Sequence, residues 1–155
     1  WIATMYGGAS NSRLYNNTII PLDGASFKTF QIGSLASAEY VAQNVEFRSN
    51  KVEGGKMEID ATEQDHIYSV YWTLNIKVAD QHGNPVNGAG VQILDKDGKE
   101  VLNSKTPETG IISEELVEYD YRDREKSFKS PYKIITGEST KKIDLDENKE
   151  ITIVI

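Results

Sequence analysis

The side chains with the clearest chemical potential are a few carboxylates, two imidazoles and a set of tyrosines. Asp95-Lys96-Asp97-Gly98 has the Asp-x-Asp-Gly spacing that opens some calcium loops, where hard oxygen ligands must converge within one turn. The distal bidentate Glu of a helical calcium loop is missing, so an ordinary hairpin turn competes for the same residues. His66 and His82 are the two imidazoles, and a zinc site built on them would need a third ligand. Asp65 and Asp80 adjoin them in sequence, and a turn or surface histidine is the default reading. A pair of carboxylates at the right separation can cleave a glycoside, and Glu46, Glu53 and Glu58 are candidates for such a pair. With 24 acidic residues in the chain, accidental pairs are numerous, so solvated surface charge is the simpler assignment. Tyr71, Tyr119 and Tyr121 are candidates to stack on sugar rings, because an aromatic face with a polar rim suits carbohydrate. Trp72 falls in a core register instead. There is no Gly-x-Ser-x-Gly elbow for a hydrolase nucleophile, and no Cys for a thiolate, a disulfide or a soft metal site. No catalytic residue is assigned.

These side chains must be positioned by strands. Val70, Trp72, Leu74, Ile76 and Val78 alternate with Tyr71, Thr73, Asn75 and Lys77, the period of a half-buried strand. Short β-like runs follow at 86–94, 99–102, 111–119, 132–136, 142–145 and 150–155, separated by turn signals at 81–85 and Asp97-Gly98. Their spacing predicts a sandwich. The polar stretch 120–130 reads as an exposed loop or excursion between strands, and 34–42 is the one place where a short helix fits. Residues 1–68 differ in texture, being rich in Gly, Ser, Asn and Ala, and the boundary is set between 68 and 69. Within that half, 14–19 echoes 42–47 at a spacing of 28 residues, which suggests stacked coils with laddering Asn side chains. The fold class is therefore all-β.

Composition narrows the partners. The net charge is −7, with acids and bases interleaved, so no cationic stripe awaits a nucleic acid. The longest apolar run, Ile151-Thr152-Ile153-Val154-Ile155, falls far below the about 20 residues of a membrane span. With Ile151, Ile153 and Ile155 on a terminal strand, it is a candidate to complete a neighbouring subunit's sheet. The start at Trp1 suggests a chain processed or excised from something longer, with other domains of a parent protein or neighbouring subunits as partners.

Residues 70–155 resemble the carboxypeptidase-regulatory-like, or transthyretin-like, β-sandwich domains. The resemblance rests on Val78-Ala79-Asp80 ending a strand, Gly83-Asn84-Pro85-Val86 as the turn, and Gly88-Ala89-Gly90-Val91 opening the next strand. The first half resembles the closing coils of a right-handed, pectate-lyase-like β-helix, on Asn16-Asn17-Thr18-Ile19 and Asn44-Val45-Glu46-Phe47. These resemblances imply domains 1–68 (coils) and 69–155 (sandwich), no cofactor unless calcium binds at Asp95 and Asp97, and a non-catalytic structural or accessory module of a secreted or cell-surface protein. Two alternatives stay open: the end of a polysaccharide-acting or carbohydrate-binding protein, and a self-assembling surface or filament subunit that exchanges strands. Collagen-adhesin sandwiches form an isopeptide bond from a first-strand Lys in an apolar pocket, but Lys77 alternates away from the apolar face and the last strand lacks Asn or Asp.

Overall fold

The structure is a computed structural model that describes residues 3–5, 10–20, 29–33 and 41–155. It is all-β, with no helix among the described residues. Of the helix expected at 34–42, residues 34–40 lie outside the described residues, and Val41 and Ala42 belong to no helix. The chain divides into two compact units, Trp1–Tyr71 with Tyr119–Ser127, and Trp72–Glu118 with Phe128–Ile155. The division thus falls between Tyr71 and Trp72, three residues beyond the boundary drawn from composition, and a later segment returns to the first unit.

The first unit is built on short parallel strands. β1 (Ala3–Met5), β4 (Phe30–Ile32) and β7 (Ile59–Ala61) form one ladder, β2 (Arg13–Tyr15), β5 (Val45–Arg48) and the start of β8 (Tyr68–Ala79) a second, and β3 (Thr18–Ile19) with β6 (Lys51–Val52) a third. Strands this short need sharp corners, which the residue types provide. Asn11 and Asn44 stand at φ 59° and 56°, and Asn16 and Ser49 at 53° and 51°, in the left-handed region that Asn tolerates better than bulky residues.

Between β2–β3 and β5–β6, equivalent corners and strands are 33 residues apart, with Arg13 opposite Glu46 and Leu14 opposite Phe47, whereas β1, β4 and β7 pair at offsets of 27 and 29 and β5 pairs with β8 at 23. The echo at a spacing of 28 therefore matched the wrong rungs: Asn44 Nδ2 donates to Asn11 Oδ1 at 3.1 Å, and Asn17 Nδ2 to Asn50 Oδ1 at 2.8 Å. Asn50 is fully buried, accepts the Asn17 backbone N–H at 3.1 Å and donates to Leu14 O at 3.0 Å. The core beneath is aromatic. Phe30, Phe47 and Tyr68 follow one another at ring separations of 4.9 and 6.0 Å, and Tyr121 stacks on Tyr68 at 4.6 Å.

The corner that follows β5 at Ser49 is not repeated after β8 pairs with β5. Arg48 lies opposite Tyr71, so the next position is Trp72, where β8 runs on as extended strand. A bulky Trp followed by β-branched Thr73 disfavours a left-handed corner, and the alternating apolar residues beyond favour a strand.

In the second unit the 72–79 part of β8 lies between β11 (Ile111–Arg122) and, in parallel, β15 (Lys149–Val154). A separate antiparallel sheet runs β10 (Glu100–Lys105), β9 (Gly90–Leu94), β13 (Tyr132–Thr136), β14 (Ser139–Ile143). Trp72, Leu74, Ile76 and Val78 from the first set, and Val91, Ile93, Tyr132 and Ile134 from the second, are buried, giving a sandwich-like core. Gly110 at φ 68° is required by close approach, since a Cβ there would meet Val78 O and Pro85 Cβ at 2.8 Å. The stretch 120–130, expected as an exposed loop or an excursion between strands, is a hairpin. β11 continues to Arg122, Asp123 and Arg124 turn at φ 53° and 63°, and β12 (Glu125–Phe128) returns. Two successive positive φ values make the tight turn whose twist suits a hairpin, here without Gly.

Candidate functional site

Period-two alternation sends Leu14, Phe47 and Val70 inward and leaves the other face of β2, β5 and β8 to polar side chains. In-register parallel pairing then aligns Arg13, Glu46 and Ser69 in one row and Tyr15, Arg48 and Tyr71 in the next. Glu46 Oε2 accepts Arg13 Nε at 2.6 Å and Arg48 Nε at 2.9 Å. The Arg48 hydrogen bond holds the Glu46 carboxyl below its usual range, against the opposing effect of burial and with help from Arg13. Glu46 is thus a fixed anion and does not suit the proton-donor role that glycoside cleavage requires. Glu53 lies near Lys51 at 3.7 Å, and the Glu58 backbone N–H donates to Thr29 Oγ1. Ser69 Oγ donates to Asp120 Oδ1 at 2.6 Å.

The three tyrosines read as a sugar platform are not brought together. Tyr71 shares the outward row, with the Arg48 guanidinium 3.8 Å over its ring, so one face is already covered. Tyr119 and Tyr121 belong to the Tyr68 cluster on the opposite face of β8. Tyr119 is buried, with Lys126 Nζ 4.4 Å from its ring centroid. Burial raises the Tyr121 hydroxyl above its usual pKa, with Arg124 opposing, and the Tyr68 hydroxyl is raised further for the same reason. Tyr15 is exposed and borders a cavity of about 590 Å3 together with Arg13, Asn17 and Thr18.

The carboxylates read as calcium ligands hold a hairpin. Asp95 Oδ1 accepts the Asp97 and Lys99 backbone N–H groups at 3.0 and 2.9 Å, and Asp97 pairs with Lys96 Nζ at 3.0 Å. Among the described residues no group of three or more His, Cys, Asp or Glu is placed to hold a metal ion. His82 is in an exposed turn, organised by Asp80 Oδ1 accepting the His82 and Asn84 N–H groups. Its hydrogen bonds, those from the Asn84 side chain foremost, lower the Asp80 pKa.

His66 is neither a turn nor a surface residue. It is fully buried, and Nδ1 accepts the Ala42 N–H at 3.1 Å, which assigns the ring proton to Nε2, 2.9 Å from Thr62 Oγ1. Thr62 in turn bonds Gln64 Oε1. Burial lowers the His66 pKa, because the charged ring would lose its solvation there.

No protein-family model and no curated protein matches the sequence. Among solved structures, the chain is similar to the Bacillus anthracis TIE protein, at 23% identity and a TM-score of 0.40, over 64% of this chain and 18% of that one. The chain thus spans less than a fifth of that protein's length, and the likeness is too slight to assign a function.

The terminal strand is occupied within its own chain. β15 pairs with β8 with Ile151 opposite Ile76 and Ile153 opposite Val78, and both isoleucines are buried there. Ile155 is exposed while its N–H donates to Ala79 O at 3.0 Å. One edge of β15 is thereby paired with β8, and among the described residues no other strand pairs with it. Lys77 lies opposite Thr152. Sequence reasoning passed over Arg13 and Arg48, whose signal is the match of 10–20 to 43–53 through Asn11/Asn44, Leu14/Phe47, Asn17/Asn50 and Ile19/Val52.

Proposed function

We propose that this chain is a non-catalytic structural or accessory module of a secreted or cell-surface protein, in which the closing coils of a β-helix precede a carboxypeptidase-regulatory-like β-sandwich. The observation that carries this reading is the 33-residue repeat of left-handed corners and Asn rungs, in which Asn50 makes its hydrogen bonds to the preceding coil. The side chains best suited to chemistry serve the same end: Glu46 bridges two arginines, His66 pins a backbone N–H, and Asp95 ties a hairpin. Such a module works by shape and surface contact, with other domains of a parent protein or neighbouring subunits as partners.

The test is to incubate purified protein with a panel of neutral and acidic polysaccharides and assay for new reducing or unsaturated ends. The expected result is no cleavage with any polymer. Turnover that survives purification and falls on Glu46→Gln substitution would overturn the reading. Protease shaving of intact cells checks the location, with accessible protein expected outside the membrane.

A further inference from the structure

The outer face of the β9–β13–β14 sheet carries an electrostatic arrangement that the fold alone does not require. Strand β13 buries Tyr132, Ile134 and Thr136 and turns Lys133 outward. The antiparallel register sets Lys133 directly opposite Lys142 on β14 and Leu94 on β9. Two like charges at opposed positions of neighbouring strands destabilise a sheet. Neither lysine side chain makes an ion pair or hydrogen bond among the described residues. The carboxylates nearby are committed elsewhere: Asp95 to backbone N–H groups, Asp97 to Lys96, and Glu100 to Gln92 and Asn103.

The pair faces a cavity of about 530 Å3, also lined by Leu94, Asp95, Lys96, Gly98, Pro131 and Thr140, with the Asp95 carboxylate held by the Asp97 and Lys99 N–H groups. That volume lies within the range of about 300–1,000 Å3 typical of small-molecule sites. We propose that this groove binds an acidic saccharide, with Lys133 and Lys142 sharing a sugar carboxylate. Opposed ammonium groups favour one anion placed between them, which removes their mutual repulsion and forms charge-assisted hydrogen bonds. Leu94 and Pro131 provide an apolar wall for the C–H face of a sugar ring, and the Thr140 hydroxyl can donate to or accept from a ring hydroxyl. This site goes beyond the structural role proposed above and does not depend on it.

The experiment is calorimetric titration of the intact chain with a short oligogalacturonate, with its fully methyl-esterified form as the uncharged control. The acid form should bind, weakening as salt rises, and the ester should not. Lys133→Gln and Lys142→Gln should each reduce affinity by about tenfold or more, the scale of a lost charge-assisted hydrogen bond. Thermal midpoints of both variants should equal or exceed that of the parent, because the repulsive pair is gone; a fall in binding is then not a loss of fold. The proposal is overturned if the acid form does not bind, if the ester binds equally, or if both variants bind as the parent does. Displacement by polyglutamate or inorganic phosphate at equal concentration would also overturn it, by showing a site that reads charge without sugar.

Discussion

The two units solve the problem of burying a β-sheet in different ways. In the first, strands of two to four residues such as β2, β3, β5 and β6 cover little apolar surface each, so the winding depends on corners and on side-chain rungs at set positions. In the second, long β8 presents Trp72, Leu74, Ile76 and Val78 in succession to a broad apolar core. The contrast teaches that the coil unit is vulnerable to loss of single polar or glycine residues, whereas the sandwich-like unit is vulnerable to loss of apolar volume.

The largest effect expected from this contrast is at Gly33. Its φ is 87°, and a Cβ would lie 2.0 Å from Thr62 Oγ1 and 2.5 Å from His66 Nε2. Gly33→Ala should destabilise by roughly 4 kcal/mol in urea denaturation, combining a left-handed backbone with overpacking against a buried network. An unchanged midpoint would remove the His66 network from the account.

Next comes a matched pair, Asn50→Ala and Ile93→Ala. The first removes a buried amide and its hydrogen bonds to the exposed Asn17 and half-buried Leu14, and should cost about 2 kcal/mol. The second opens a cavity and should cost a similar 2–5 kcal/mol, read as roughly that range in the same assay. If Asn50→Ala were neutral while Ile93→Ala were costly, the coil unit would be held by burial alone and the contrast would fail.

A smaller effect is pH-dependent. The His66 pKa is lowered in the folded protein, so below about pH 6.5 the unfolded chain binds more protons there than the native one. The associated stability is fully present above about pH 6.5 and is lost as pH falls through the interval below it. Urea midpoints compared at neutral and mildly acidic pH should show this decline, and His66→Gln should flatten it.

The smallest effect has the opposite sign. Thr136 Oγ1 is buried with no hydrogen-bond partner among the described residues, so Thr136→Val should stabilise by up to about 1 kcal/mol. A loss in thermal midpoint would indicate that the hydroxyl is satisfied.

The second unit was the more legible in the sequence for physical reasons. The alternation from Val70 to Val78 is long enough to declare its period, and Asp97-Gly98 marks a turn in two residues. The coil unit hides its repeat because strands of two or three residues carry almost no periodicity. Its Asn residues occur both on corners and on rungs, so matching Asn16 to Asn44 gave a spacing of 28 where the true partners, Asn11 and Asn44, are 33 apart. The 120–130 stretch resisted for a related reason, since its turn at Asp123 and Arg124 has neither Gly nor Asn to announce a positive φ. Side-chain neighbours set by register, such as Arg13 with Glu46 or Lys133 with Lys142, were invisible until the strands were paired. Likewise the faces of β8 separate Tyr71 from Tyr119 and Tyr121, which residue type alone had grouped.

The most direct test of the claim that polar rungs hold the coil unit is residue-resolved amide hydrogen exchange on Asn50→Ala beside the parent protein. The account predicts that protection falls in β2 and β5 while β9 and β13 keep theirs; equal loss in both sets, or no loss in β2 and β5, would contradict it.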